Sequence, residues 1–591
     1  MNKKTLTRFF YGLTDKGTLS DEILFSKTGS AYIPVTKRNI IKDILYLNNK
    51  LRELNIKKGD KTAIISENRP EWVITDFACI LDGIITVPIY NSLSTEQIKY
   101  ILKDSGSKAC FVSSLFLLEK ILKVKDELPE LKHIISYNLF DEMNRIEGVI
   151  YYDELMKRND KLSDKEIINS VKEKIDVTNE DDVFTIIYTS GTTGNPKGVM
   201  LAHKNVCSDL DACNNVLDIT PKDRFLSFLP YCHAYERTAG YYLAFLNGAK
   251  IYYAQNIDTI STQMPEVKPT ILISVPRLLD KMYNRVMKSG DEQKGFRKKI
   301  FNAAVKLAHS ENPKRSFMWK IYDALVYKKI KAKTGGHIRF IVAGGGALNK
   351  KINMFMNGIE LGTLEGYGMT EASPVIAVNL PQKNKPGTVG PPLKGVEVKI
   401  ADDGEILVKG DIVMRGYYKL PEETASTIID GWLHTGDIGE MDSEGYIKIT
   451  DRKKSLFKTS GGKYIAPAVI ENLLMTLPFM EQVIAIGNER MYVTALIVPN
   501  KDEIARIAQS LGLDAISYKD LIKNEKLIKH VEKKINEVQK NLSTYEKIRK
   551  ITLLENPFTL EAGEMTPTLK LKRKEIEKKY ADVIEKMYLN V

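Results

Sequence analysis

The sequence predicts an α/β protein, with a large N-terminal region of βα-layered subdomains, a β-rich subdomain and a small α+β C-terminal domain. Three observations carry this expectation. Short apolar runs alternate with helical patterns through the first three quarters of the 591 residues. After Pro386 the texture turns to short strands divided by Asp-Gly and Glu-Gly pairs. From about Asp451 to Val591 a mixed pattern returns and ends in charged helices.

In order, Thr62 to Ser66 reads as a strand, a helix begins near Pro70, and Ile84 to Tyr90 forms the next strand. Similar runs lie at Lys108 to Ser113, Val183 to Tyr188, Lys250 to Tyr253, Thr270 to Ser274 and Arg339 to Ala343. This alternation predicts a mainly parallel sheet covered by helices. Lys281 to Lys333 is Lys-rich, with helical periodicity and little strand signal, and reads as a helical insertion. Glu397 to Ile400, Glu405 to Val408 and Tyr446 to Thr450 supply the β-rich part, about 386–450. The expected division is therefore 1–450 and 451–591, although length alone suggests roughly three to four folding units.

Composition narrows the function classes. With 43% hydrophobic and 27% charged residues, neither disorder nor a fibre is expected. The net charge of +12, from 87 Lys and Arg against 75 Asp and Glu, suits anionic small ligands, an anionic membrane surface or nucleic acid. No helix-turn-helix, zinc finger or aromatic RNA-binding motif is found, so no nucleic-acid partner is expected. The five scattered cysteines form no Cys-x-x-Cys pair, which points to a reducing compartment without disulfides or a metal centre. The basic start lacks the apolar core of a secretory signal, and no run of about 18 uncharged apolar residues occurs. A cytoplasmic protein is expected, with a peripheral contact at the inner face of the membrane as a further expectation. Oligomeric state is not legible.

"YTSGTTGNPKGV" (188–199) follows a strand-like run and sets Thr189, Ser190, Thr192 and Thr193 with Gly191 and Gly194 before Lys197. Glycines bring backbone N–H groups close, hydroxyls add donors, and the lysine adds a positive charge: a concavity suited to a polyphosphate. A solvent-exposed turn of small residues would read the same way. The Walker pattern fails, because Lys197 is followed by Gly198 instead of a metal-binding hydroxyl.

Seven further stretches follow in order: "FLPYCHAYERTAGYY" (228–242), "AGGGALN" (343–349), "EGYGMTEASP" (365–374), "GEILVKGDIVMRGYYK" (404–419), "GWLHTGD" (431–437), "DRKKSLFKTSGGKYIAP" (451–467) and "MTPTLKLKRK" (565–574). Together with the first, these resemble the adenylate-forming enzymes over nearly the whole chain. "LPYCHAYERTAGYY" and the helical insertion after "SVPRLLDKMYNRV" are most similar to long-chain fatty acyl-CoA synthetases.

The resemblance implies a two-step ligase that uses ATP, a fatty acid and CoA, with Mg²⁺ as cofactor. Thr189, Ser190, Gly191, Thr192, Thr193, Gly194 and Lys197 would clasp the phosphates that leave. Gly344, Gly345 and Gly346 would approach the adenine edge, and Tyr367 would stack on its face. Thr370 would donate to the α-phosphate and Glu371 would hold Mg²⁺. Asp437 and Arg452 would take the ribose hydroxyls. His233 would sit beside the acyl carboxylate, and Lys570 would bridge that carboxylate and the α-phosphate. Here the chain reads Thr568-Leu569-Lys570 where Ser-Gly-Lys is commoner, with Lys572 and Lys574 nearby, so the register rests on the Thr-x-Lys frame. Asp451 matches a hinge about which a mobile C-terminal domain turns, and Gly461 and Gly462 would line a tunnel for CoA. Two other readings keep the same fold: an adenylate former that loads a separate acyl carrier protein, and a ligase for medium-chain or branched acids. A noncatalytic acyl- or nucleotide-binding protein would be favoured had Lys570, Glu371 or the Lys197 segment been missing.

Overall fold

The computed structural model describes residues 4–138, 145–157, 162–189, 195–453, 456–461, 463–513, 516–559, 562–565 and 571–589. It is mixed α/β and divides into two compact units. The first takes Met1–Lys399, Leu407–His434 and Asp442–Ile447; the second takes Ile400–Ile406, Thr435–Met441 and Lys448–Val591.

The first unit holds two eight-stranded sheets. One runs, edge to edge, Val375–Val378, Thr363–Gly368, Phe340–Ala343, Ile271–Ser274, Arg224–Ser227, Lys250–Tyr253, Glu22–Thr28 and Ala31–Thr36. Its outermost pairs are antiparallel and the pairs between are parallel. The other runs Gly416–Tyr417, Lys197–Ala202, Val183–Thr189, Ile85–Ile89, Lys61–Ile65, Ala109–Val112, His133–Ser136 and Val149–Tyr151. Unbroken runs such as Ile271-Leu272-Ile273 are buried along their length, as parallel strands covered on both faces must be. Alternation of strand and helix shows that a strand exists but not which sheet it joins.

A buried seam binds the sheets and explains why the unit does not split further. Helix Pro70–Ile80, which follows a strand of the second sheet, meets the helical segment Glu236–Tyr242 of the first. Trp72 lies edge-on to Tyr231 and Tyr241, and Phe77 lies edge-on to Tyr241 and Tyr242. Arg237, 1% exposed, pairs with Asp76. It also donates to Thr185 and Thr86, each at 2.7 Å, and to the Tyr242 hydroxyl at 3.0 Å. Tyr242 in turn donates to Asp76 at 2.6 Å. A buried charge needs such complete pairing. Glu236–Tyr242 is wound as a π-helix, a form the spacing of apolar residues does not announce.

The Lys-rich stretch is helical, with Pro276–Asp291, Gly295–Ala308 and a run from Phe317 to Ala332. These helices cover the first sheet through Leu279, Ala304, Ala308 and Tyr327.

In the second unit, Met480–Ile486, Val493–Pro499 and Ile548–Leu553 form a sheet, antiparallel then parallel. Alternate residues serve opposite faces. Val483, Ala485, Ala495 and Ile497 pack with Ile470, Leu527 and Val531 of Pro467–Leu474 and Glu525–Val538. Ile484, Ile486, Leu496 and Val498 pack with Ile576 and Ile584 of the last two helices, Arg573–Lys579 and Ala581–Tyr588. This unit also holds Ile400–Ile406 and Thr435–Met441, strand segments of the β-rich part. The predicted Asp-Gly and Glu-Gly turns fall where Gly404 and Gly445 adopt φ of +83° and +80°.

Candidate functional site

Strand Arg224–Ser227 lies between Lys250–Tyr253 and Ile271–Ser274. The chain leaves it first to one side and then to the other, and this reversal opens a crevice at the carboxyl ends of the strands. Segments that follow three strands, Arg224–Ser227, Phe340–Ala343 and Thr363–Gly368, converge there around one cavity, lined by His233, Tyr235, Gly344, Gly345, Tyr367 and Thr370. Its apolar side comes from residues such as Leu217, Ala239, Leu243 and Ile273. It holds only about 50 Å³, room for a few waters and far below the several hundred Å³ of a typical ligand pocket. Ala239 and Leu243 come from the apolar stretch Tyr231 to Leu246, of which Tyr241, Tyr242 and Phe245 are sealed in the seam.

His233 is half-buried and edge-on to Tyr90. The Tyr235 backbone N–H donates to His233 Nδ1 at 3.2 Å. An amide nitrogen can only donate, so Nδ1 accepts and the neutral ring carries its proton on Nε2. Tyr235 is held by its hydroxyl, which donates to the Val342 carbonyl at 2.9 Å. A Cβ on Gly344 would stand 2.7 Å from the Tyr235 ring, so that glycine makes room for tyrosine. Gly345 has φ of +75° and open space beside it, the conformation that favours glycine. Gly346 has neither constraint.

Tyr367 is buried on Thr363–Gly368, opposite Ala377. The strand turns back sharply: the Met369 N–H donates to the Pro374 carbonyl at 2.9 Å, and a Cβ on Gly368 would meet that oxygen at 1.8 Å. Thr370 and Glu371 stand half-buried on the turn Thr370–Ala372. Thr238 donates to the Ser373 carbonyl at 3.2 Å and Ser373 donates to the Ile412 carbonyl at 2.7 Å, which anchors the turn.

Lys197 and Glu371 are joined by a residue that sequence reasoning missed. Thr189 and Lys197 face each other across the antiparallel ladder of Val183–Thr189 and Lys197–Ala202. Gly198 lets the strands close, since a Cβ there would stand 2.7 Å from Ile186. Tyr417 pairs with Val199 on the next strand, and its hydroxyl donates to Glu371 Oε1 at 2.9 Å. The Lys197 ammonium lies over the Tyr417 ring, 5.2 Å from its centre, and pairs with Glu423. Burial, then the Glu371 charge, pushes the Tyr417 hydroxyl well above its ordinary pKa, so it stays a donor. The signal lay in "RGYYK", but nothing local in that stretch names Lys197 or Glu371 as partners.

In the second unit, Arg452 Nε meets Asp437 Oδ1 at 2.9 Å, bringing together the two expected ribose contacts. Asp437 is buried, and its N–H donates to Thr435 Oγ1 at 3.1 Å. Behind it, the Gly436 N–H donates to Glu405 at 2.8 Å, and Lys453 pairs with Glu405 and Asp403. Asp451 is buried: one carboxylate oxygen accepts from the Arg452 N–H, and the other has no hydrogen-bond partner among the described residues. Burial pushes its carboxyl up to about 6, with Glu471 adding in the same direction. Gly461 is exposed, and a Cβ there would meet only Thr459 Oγ1, at 3.9 Å. Ser190, Gly191, Thr192, Thr193, Gly194, Gly462 and Lys570 lie outside the described residues. The chain on either side of Lys570 is described, and Met565 and Leu571 form an antiparallel bridge.

All five cysteines are buried as free thiols. No helix among the described residues is long and apolar enough to cross a membrane.

Residues 30–418 match the sequence profile of the AMP-binding enzymes, and residues 455–591 match that of the AMP-binding enzyme C-terminal domain. A long-chain-fatty-acid–CoA ligase of Mycobacterium bovis is 32% identical over 556 residues, covering 91% of this chain and 89% of the relative. Long chain acyl-CoA synthetase 3 of Arabidopsis thaliana is 30% identical over 96% of this chain and 88% of its own. Among solved structures, the adenylation domain of a carboxylate reductase from Mycobacterium chelonae superimposes with a TM-score of 0.76 at 20% identity, covering 99% of this chain and 91% of that one.

Proposed function

The chain belongs to the AMP-binding enzyme family, and on that premise we propose that it is an AMP-forming long-chain-fatty-acid–CoA ligase. A carboxylate is a poor acylating agent, because oxide is a poor leaving group. In the first step the acid's oxygen attacks the α-phosphorus of ATP; the bond to pyrophosphate breaks and an acyl-adenylate forms. In the second, the sulfur of CoA attacks the carbonyl carbon, the thiol proton is lost and AMP departs. Bringing two anions together requires cations and oriented donors more than a nucleophile.

The observation that carries the reading is the Lys197–Tyr417–Glu371 chain in the same unit as the cavity ringed by His233, Tyr367, Thr370 and the glycines. In this reading Lys197 and the Thr189–Gly194 segment hold the leaving phosphates. Tyr367 and Gly344–Gly346 take adenine, while Thr370 donates to the α-phosphate. His233 presents Nε2–H to the acid. Asp437 and Arg452 take the ribose, and Lys570 bridges carboxylate and phosphate. Glu371 fits a hard cation, since Mg²⁺ favours one or two carboxylates completed by phosphate oxygens; when bound, Mg²⁺ neutralises phosphate charge. Asp451 serves as the hinge between half-reactions. Gly461 and Gly462 line the CoA tunnel in this reading. The net charge of +12 favours contact with an anionic membrane.

Pyrophosphate release, measured across a series of fatty acids with and without CoA, tests the whole. AMP and pyrophosphate are expected, with acyl-CoA formed only when CoA is present and rates rising toward long chains. ADP with orthophosphate would end the reading. Adenylate without CoA thioester would instead favour a carrier protein as acceptor, and Lys570→Ala should slow the first step by about 10²–10³.

A further inference from the structure

The charge of this protein is concentrated in the helical insertion. Residues 281–333 hold fifteen Lys and Arg against four Asp and Glu, a net of +11 out of the chain's +12. The other 538 residues are therefore almost neutral.

Within the insertion, the helical run from Phe317 to Ala332 is held by one face. The Trp319 indole N–H donates to the Gly358 carbonyl at 2.8 Å, and the Tyr327 hydroxyl donates to Ala304 at 2.7 Å. Tyr322, Val326 and Ile330 pack into the same core. The opposite face is bare and divided. Its first half presents Phe317 (78% exposed), Met318, Ile321 and Leu325; its second half presents Lys328, Lys329 and Lys333. On the adjoining helix Gly295–Ala308, Phe296 is 76% exposed beside Lys294 and Arg297. Lys314 and Lys331 are engaged with Glu360, but Lys320, Lys328, Lys329 and Lys333 make no ion pair among the described residues.

Large apolar side chains held outward at one edge of a cationic field are costly in water, and they suit an interface that is anionic at its surface and apolar a few ångströms below. From this juxtaposition we infer that the Phe317–Lys333 face docks the protein onto an anionic phospholipid bilayer. Nucleic acid would answer the lysines but leave the Phe317–Leu325 stripe in water. The inference does not depend on the chemistry proposed above.

Sedimentation of the full-length protein with phosphatidylglycerol vesicles and with phosphatidylcholine vesicles decides it. Wild type should bind the anionic vesicles and release them as salt is raised. With about 1 kcal/mol per lysine at such a surface, Lys328→Glu with Lys329→Glu should weaken binding about 25-fold or more. Phe317→Ser with Leu325→Ser should weaken it about tenfold with the salt dependence unchanged. Both variants alter exposed residues, so pyrophosphate release on a water-soluble acid should match wild type and show that folding is intact. Equal binding to both vesicle types, or unaltered binding by the charge reversal, would overturn the inference. So would a wild-type dimer that Phe317→Ser dissociates, or binding of duplex DNA in preference to vesicles.

Discussion

Arg237 and Lys197 both hold a cation against an aromatic ring and a carboxylate, and the difference between them separates architecture from chemistry. Arg237 is sealed between the two sheets, and Asp76, Thr86, Thr185 and Tyr242 occupy its donors. Lys197 stands half-exposed at a strand end, its ammonium over Tyr417 and its charge answered by Glu423, a carboxylate on the surface. Exchange at the first would strand a charge in a dry interior. At the second, an arriving phosphate can replace Glu423 with little desolvation, because exposed ion pairs are weak. A cation with every partner buried serves stability; one held by a surface carboxylate can serve a ligand.

Four measurements would break or sharpen that contrast. The largest effect belongs to Arg237→Ala, which leaves Asp76 buried without its cation and should cost about 3–5 kcal/mol. Chemical denaturation checks it, and a loss below about 1 kcal/mol would mean that the seam is not what joins the sheets. Lys197→Ala should leave the melting temperature almost unchanged and slow adenylate formation about 10²-fold. A collapse in stability with activity per folded molecule intact would reverse the two assignments. Tyr417→Phe removes one hydrogen bond to a charged group, so kcat/KM should fall about tenfold, and more at limiting than at saturating Mg²⁺ if Glu371 is the group it positions. Loss that is equal at both Mg²⁺ levels would make Tyr417 a packing residue.

The smallest effect concerns Asp451, buried with one oxygen that no described residue serves. Its carboxyl titrates near 6, above the ordinary 3.8, so the folded state binds the proton more tightly. Stability from that proton is present at low pH and is lost as pH rises from about 4 through 6. Asn imitates the neutral acid. Asp451→Asn should therefore melt higher than wild type above pH 6 and level with it near pH 4; a lower melting temperature at pH 7.5 would refute the burial argument.

Much of this was legible in the sequence where the signal is local. Lys250 to Tyr253 reads as a strand and is one, and the Val183 run leads into the Thr189–Lys197 hairpin. The division into two sheets was not legible, because it depends on contacts such as Arg237–Asp76, which span 161 residues. Tyr417 escaped for the same reason: its partners Lys197 and Glu371 lie 220 and 46 residues away. The π-helix at Glu236–Tyr242 left no trace except Gly240, where a Cβ would meet the Glu236 carboxyl at 2.4 Å. Asp437 and Arg452 were named from motifs, and the fold sets them side by side. The roles given to Lys570 and the Ser190–Gly194 segment rest on the motif alone.

The narrowness of the recess beneath His233 has a further bearing on selectivity. In the reaction proposed above, a fatty tail that entered it would have to part Leu217 and Leu243, which line it. Each added carbon then trades side-chain packing for tail packing, and the net gain per methylene falls below the roughly 0.8 kcal/mol of simple transfer from water. Discrimination between acids of adjacent length should be shallow, a gradual slope with no sharp cutoff.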